Sequence, residues 1–324
     1  MKNAERTIYV YDIKVDKRAV HALPPALVEM ANVWQAAFTA GTAIHKREKG
    51  SVVYRIGGMV VDDTAGTMSL LIRRADIAAP DAAYSNMDNG DLRIAKKTPV
   101  EGGDTAAHLT VSLRPERRDA HSYLAFLEGV PRIGHHYVQA LLNGIIRASC
   151  SDDRQTFHYP HPSGAKHRDG SAQLKPFVPT IELRAHLADD FISDLENGTV
   201  SNIELIKQEG RTALGGNSYL EESSSILKID VDKNLPRSGR LDSLIQAMSS
   251  KKKDFQVGRI RFQDTHKNSH TVEVDLDSGA IEQGKFIKNF TIAPIDPPLA
   301  QSTDVILARL IDPMIAKLLA DRHI

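Results

Sequence analysis

SVVYRIGGMVVDDTAGTMSLLIRR, residues 51–74, reads as two β-rich runs joined by a turn, and it decides the fold class. Val, Ile, Tyr and Met dominate residues 51–61, and residues 67–74 form a second β-rich run, while Asp62-Asp63-Thr64-Ala65-Gly66 supplies turn chemistry between them. Gly57-Gly58 interrupts the first run. Upstream, residues 7–15 (TIYVYDIKV) alternate apolar and polar side chains as a half-buried strand does. From Pro24 the period changes: Leu27, Met30, Trp34 and Phe38 recur at three and four, the spacing of a helix that ends near Gly41. Downstream, residues 78–90 read as loop, 108–113 as strand, and 119–127 and 131–148 as helices, the second with a stripe of Tyr137, Val138, Leu141, Leu142, Ile145 and Ile146.

Residues 151–175 turn to Ser, Asp, His, Gly and Pro, the composition of a linker or long loop. Beyond it, strands are expected at 178–186, 199–208, 226–231, 255–262, 270–276 and 286–292. Helices are expected at 188–196, 241–248 and 303–320, the last with Val305, Leu307, Leu310, Ile311, Met314 and Leu318 inward and Pro313 kinking or restarting it. Helices grouped between hairpins point to α+β, with antiparallel sheets and packed helices in two domains. The expected boundaries are an N-terminal α+β domain at 1–150, a loop or linker at 151–175, and a C-terminal α+β domain at 176–324 carrying a basic β pair and a terminal helix.

The chain has 324 residues, 41 Lys+Arg against 41 Asp+Glu, and 41% hydrophobic residues, the profile of a globular protein rather than a disordered one. Zero net charge excludes a uniformly basic binder but not a basic face, because phosphate contact depends on where charge sits. With Cys150 the sole cysteine, neither an intramolecular disulfide nor an all-cysteine zinc site can form, which suits a reducing cytoplasm. The start MKNAER lacks the apolar stretch of a signal peptide, and no window reaches the roughly 20 apolar residues of a membrane span.

Several stretches resemble reactive motifs without completing them. His158, His161 and His167 beside Asp169 bring three imidazoles together, but prolines and a glycine interrupt them and no standard zinc spacing is present. Arg132 with His135-His136, and Arg154 with His158, offer an arginine to hold a phosphate and a histidine to move a proton, on a chain too β-rich for the helical ribonucleases that use such pairs. GRTALGGN (210–217) lacks the Lys and Ser/Thr that a phosphate-binding loop needs after its last glycine. Asp230, Asp232 and Lys233, and Asp12 with Lys14, each place carboxylate and lysine near a strand end without a second supporting acid. No Gly-x-Ser-x-Gly elbow occurs. No catalytic residue, metal ligand or cofactor is assigned.

Cations group in two places. Lys251, Lys252 and Lys253 close a helix and lead into a strand whose Arg259 and Arg261 share one face by the period of two, with His266, Lys267 and His270 in the following turn and Lys285 and Lys288 beyond. Residues 251–291 hold eight Lys/Arg against six Asp/Glu. Arg114, Arg117 and Arg118 sit at a strand-to-helix turn. The expected nucleic-acid surface is therefore Lys251, Lys252, Lys253, Arg259, Arg261 and Lys267, with Arg117 and Arg118.

The order of elements, TIYVYDIKV, then GSVVYRIGGMVV with MSLLIRR, a helical stretch, PFVPTIELRAH and a late basic β pair, is similar to that of a group of phage-defence proteins: the RexA component of the lambda exclusion system and the B subunit of the Kiwa system. The likeness is one of layout along most of the chain and transfers no site residue. It implies a cytoplasmic, non-enzymatic, dimeric DNA-binding protein that works with a membrane-protein partner. The expectation is thus a largely sequence-independent binder of duplex DNA, a sensor or adaptor in defence against phage. A metal-dependent nuclease or other hydrolase is the alternative. A protein-interaction module, a homo-oligomer joined through the C-terminal helix, is the third.

Overall fold

The structure, a computed structural model, describes residues 3–17, 19–117, 119–151, 157–213, 221–232, 234–277, 281 and 283–321. In chain order the elements are β1 (Arg6–Lys17), α1 (Leu27–Thr39), β2 (Ile44–Arg47), β3 (Val52–Asp62), β4 (Thr67–Asp76), β5 (Ala82–Ser85), β6 (Leu92–Ala95), β7 (Gly103–Ser112), β8 (Ser122–Glu128), α2 (His135–Ser151), β9 (Phe157–Pro160) and β10 (Leu174–Phe177). They continue with β11 (Pro179–Ala185), α3 (Asp189–Asn197), β12 (Thr199–Ala213), β13 (Glu221–Asp230), α4 (Arg240–Ser249), β14 (Val257–Gln263), β15 (Ser269–Asp275), β16 (Asn289–Ile292) and α5 (Ala308–Asp321). The class is α+β.

Two compact units result, one of residues Met1–Arg184 with Phe290–Ile324, the other of Ala185–Asn289. The cuts fall at 184/185 and 289/290 rather than at 151–175, because the chain returns. β9 and β10 pair within the stretch expected to be a linker, β11 and β16 join the first unit's sheet, and α5 packs on that sheet.

In the first unit the strand order is β11-β1-β8-β7-β4-β3-β2, with β16 also on β1. The β3/β4 hairpin forms as expected: Asp62 Oδ1 accepts the Ala65 N–H at 2.9 Å, Gly66 turns at φ +66°, and Asp62 pairs with Thr67. The ladder slips between Ile56 and Gly58; a Cβ on Gly57 would sit 2.6 Å from Arg73 Cδ, so a larger residue there would have to displace the Arg73 side chain. On one sheet face α1 buries Leu27, Met30, Val33 and Trp34, and the Trp34 indole donates to the Leu142 carbonyl of α2 at 3.1 Å. On the other face α5 sets Ile311, Met314 and Leu318 against Ile8, Val10, Leu124 and Phe126. The apolar stripe of α5 is thus spent inside its own unit, with Val305 left exposed.

The stretch 119–127, expected to be helical, instead leads into the interior strand β8 (Ser122–Glu128), antiparallel to β1 and β7. SYLAFLE is buried along both sheet faces, so it carries no alternation, and a short apolar run does not separate strand from helix. Likewise, residues 78–90 contain β5, the first strand of a small hairpin with β6.

In the second unit the sheet order is β13-β12-β14-β15, and its core joins Phe191 and Leu195 of α3 and Leu241, Leu244 and Met248 of α4 to Ile203, Leu205, Ile260, Phe262, Val272 and Val274.

Candidate nucleic-acid interface

The second unit's sheet turns Arg259 and Arg261 to the same side, as the period of two requires, but it also places acids there. Arg259 Nη2 lies 2.7 Å from Glu273 Oε1, its Nη1 lies 3.2 Å from Glu204 Oε2, and Arg261 Nη2 lies 3.1 Å from Glu204 Oε1. Two guanidiniums thus meet two carboxylates, and Glu204 is only 3% exposed beneath them. Burial alone would raise the Glu204 pKa; the hydrogen bond from Arg259 and the charge of Arg261 outweigh it and hold the carboxyl below its ordinary range. The cationic strand of the sequence is neutral in space.

The other expected residues are scattered. Lys251, Lys252 and Lys253 are exposed after α4, with Lys252 Nζ 3.5 Å from Asp277. Lys267 turns at φ +67° between β14 and β15, in a loop built by Asp264, which accepts the His266 and Asn268 N–H groups and contacts His270 Nε2 at 3.0 Å. Lys285 sits over the Phe286 ring and Lys288 lies 3.7 Å from Asp189. Arg117 is exposed, but in the first unit; Arg118 lies outside the described residues. Arg114 donates to the Thr64 carbonyl.

The incomplete motifs also resolve. His158 is on β9, and His161 Nδ1 accepts the Ser163 N–H at 3.2 Å within a loop; among the described residues no group of three or more His, Cys, Asp or Glu could hold a metal ion. Residues 210–213 end β12, and 214–217, like Arg154 and Lys233, lie outside the described residues. Lys14 contacts Asp119 at 3.5 Å. His135 is buried at the start of α2 and stacks on Tyr11 at 5.2 Å; burial, then the nearby His136, pushes its pKa down to about 4.

A cationic cleft outside the expected basic surface lies between β2 and α2. His45 pairs with Tyr54, so both side chains point toward α2. Gly144 lets β2 approach: a Cβ there would sit 2.9 Å from His45 Nδ1. Arg47 lies 5.0 Å above the Tyr137 ring, which stacks on Tyr54 at 5.0 Å and against His136 at 3.9 Å. The Tyr54 hydroxyl accepts from Arg74 Nε and donates to the Arg132 carbonyl at 3.0 Å, which anchors the aromatic stack from below. Arg147, ten positions after Tyr137 and so about 15 Å along the helix, completes the row beside His45.

Burial first, then the charges of Arg47 and Arg147, hold His45 below its ordinary pKa, so a neutral imidazole separates two exposed guanidiniums. Among the described residues neither guanidinium is in an ion pair, whereas the nearby Arg74 is matched by Asp76 at 2.8 Å. The sequence signal was IHKREKG (44–50), with three Lys/Arg and a histidine against one acid.

No family model matches the chain, and neither a curated protein nor a solved structure matches it. The site therefore rests on its own geometry.

Proposed function

We propose that the protein binds the phosphate backbone of nucleic acid through the β2/α2 cleft, with little regard to sequence and without chemistry of its own. The observation that carries this reading is the pair Arg47 and Arg147, exposed, without an ion-pair partner among the described residues and set around His45, with Tyr137 as an aromatic wall. Arginines that contact phosphates fix position and not sequence. A sensor or adaptor role in phage defence, beside a membrane-protein partner in the cytoplasm, is supported by the layout of the chain. No described helix is long and apolar enough to cross a membrane.

The test is fluorescence anisotropy of labelled oligonucleotides between about 50 and about 200 mM salt. Each phosphate neutralised on duplex DNA contributes about −0.9 to the slope of log K against log salt, so R47A/R147A flattens the slope by about 2. K251A/K252A/K253A leaves it unchanged. An unaltered slope in R47A/R147A, or no binding by the wild type at micromolar protein and about 50 mM salt, overturns the reading.

A further inference from the structure

Arg147 has a second neighbourhood. It lines a cavity of about 410 Å³ with Ala19, Pro176, Phe177, Val178 and Thr180, and a smaller hollow of about 200 Å³ continues along Pro176, Phe177 and Val178 to Cys150 and Ser151 at the end of α2. The larger cavity is of the size that takes a small organic ligand. Its walls are mostly apolar. Burial pushes the Cys150 thiol up, so it stays neutral and adds no charge to the hollow. Phe177, half-buried at the end of β10, is held edge-on by Phe157 at 6.0 Å and 60° and by Tyr159 at 5.8 Å and 79°. Among the described residues Arg147 is the one charged side chain that lines either hollow.

A slot with apolar and aromatic walls and the Arg147 guanidinium suits a flat, weakly polar group that carries an anion at its edge. We propose that it receives one unstacked base of single-stranded nucleic acid, with the adjoining phosphate on Arg147 and the backbone continuing along the cleft to Arg47. This rests on the phosphate-binding reading of that cleft. Aromatic side chains beside a positive track are the general means of holding single strands, because every base has a π face. A duplex keeps its bases stacked and paired, so it can use the arginines but not the slot.

The experiment compares a single-stranded oligonucleotide, as DNA and as RNA, with a DNA duplex of the same sequence in one buffer. The proteins are the full-length wild type, F177A and F177L, the last retaining apolar bulk without the ring. Folding of each is checked by the fluorescence of Trp34, the sole tryptophan. Both variants are expected to weaken single-strand binding about tenfold, equivalent to about 1.4 kcal/mol, and to leave duplex binding unchanged. Single-strand affinity that survives both substitutions, or an equal loss for strand and duplex, overturns the slot. If the wild type binds the duplex but no single strand, the slot falls and the phosphate cleft stands. If it binds neither, both fall.

Discussion

Glu128→Gln should destabilise the first unit by about 3–5 kcal/mol, the range for breaking a buried ion pair at one partner. Glu128 on β8 is 3% exposed, Arg6 on β1 is 3% exposed and His108 on β7 is 2% exposed. Arg6 Nε lies 2.8 Å from Glu128 Oε1, while Oε2 accepts the His108 backbone N–H at 3.0 Å and contacts His108 Nδ1 at 2.8 Å. His108 Nε2 accepts the Leu307 N–H at 3.2 Å, which leaves Nδ1–H to donate to Glu128 Oε2. The buried ion pair is therefore that of Arg6 with Glu128. Glutamine keeps the shape and one oxygen for the two His108 donors, but it turns an amide N–H₂ toward Arg6 Nε–H and removes the carboxylate charge that faces the guanidinium. Removing the guanidinium charge as well, in R6M/E128Q, should restore most of the loss, because a buried pair replaced on both sides is close to neutral. Trp34, in the same unit and fully buried, reports the transition in urea. At a slope near 2 kcal/mol per M, the single variant lowers the midpoint by roughly 1.5–2.5 M and the double by less than about 1 M. If the single variant loses no more than the double, the buried charge is not what Glu128 balances and the reasoning fails.

Acid should weaken the same unit through His135. Its folded pKa of about 4 lies below the ordinary value of 6.5, so the unfolded chain takes up the proton first; the stability held above pH 6.5 is lost as pH falls toward 4. His135→Leu should flatten the urea midpoint against pH across that window, and an equally steep profile would place the sensitivity elsewhere. Glu204→Gln removes the shared carboxylate under Arg259 and Arg261, which are partly exposed and can turn to water, so a cost of about 1–3 kcal/mol is expected by chemical denaturation monitored by circular dichroism. Its effect on nucleic-acid binding separates the two surfaces: the salt slope stays fixed if the β2/α2 cleft carries the contact, and a steeper slope would return the interface to the late sheet.

What could be read from the residues was what neighbours in the chain decide. The β3/β4 hairpin was legible because its turn chemistry, Asp62 through Gly66, lies within the hairpin itself. The shared face of Arg259 and Arg261 was legible because the strand period is local. The strand β8 was not, because pairing on both sides buries both of its faces and erases the alternation that marks a strand. Charge is harder still. What matters for a phosphate is the charge left after pairing, and pairing is set by neighbouring strands: Glu204 reaches Arg259 across 55 residues of sequence. A stretch with eight cations and six acids was thus disarmed by an acid outside it. The β2/α2 cleft is the converse. Arg47 and Arg147 stand 100 positions apart, and no composition window joins them. Both charges act on His45, which packs against Gly144, a helical glycine whose missing side chain admits the imidazole, so the most informative residue for the site carries no charge at all.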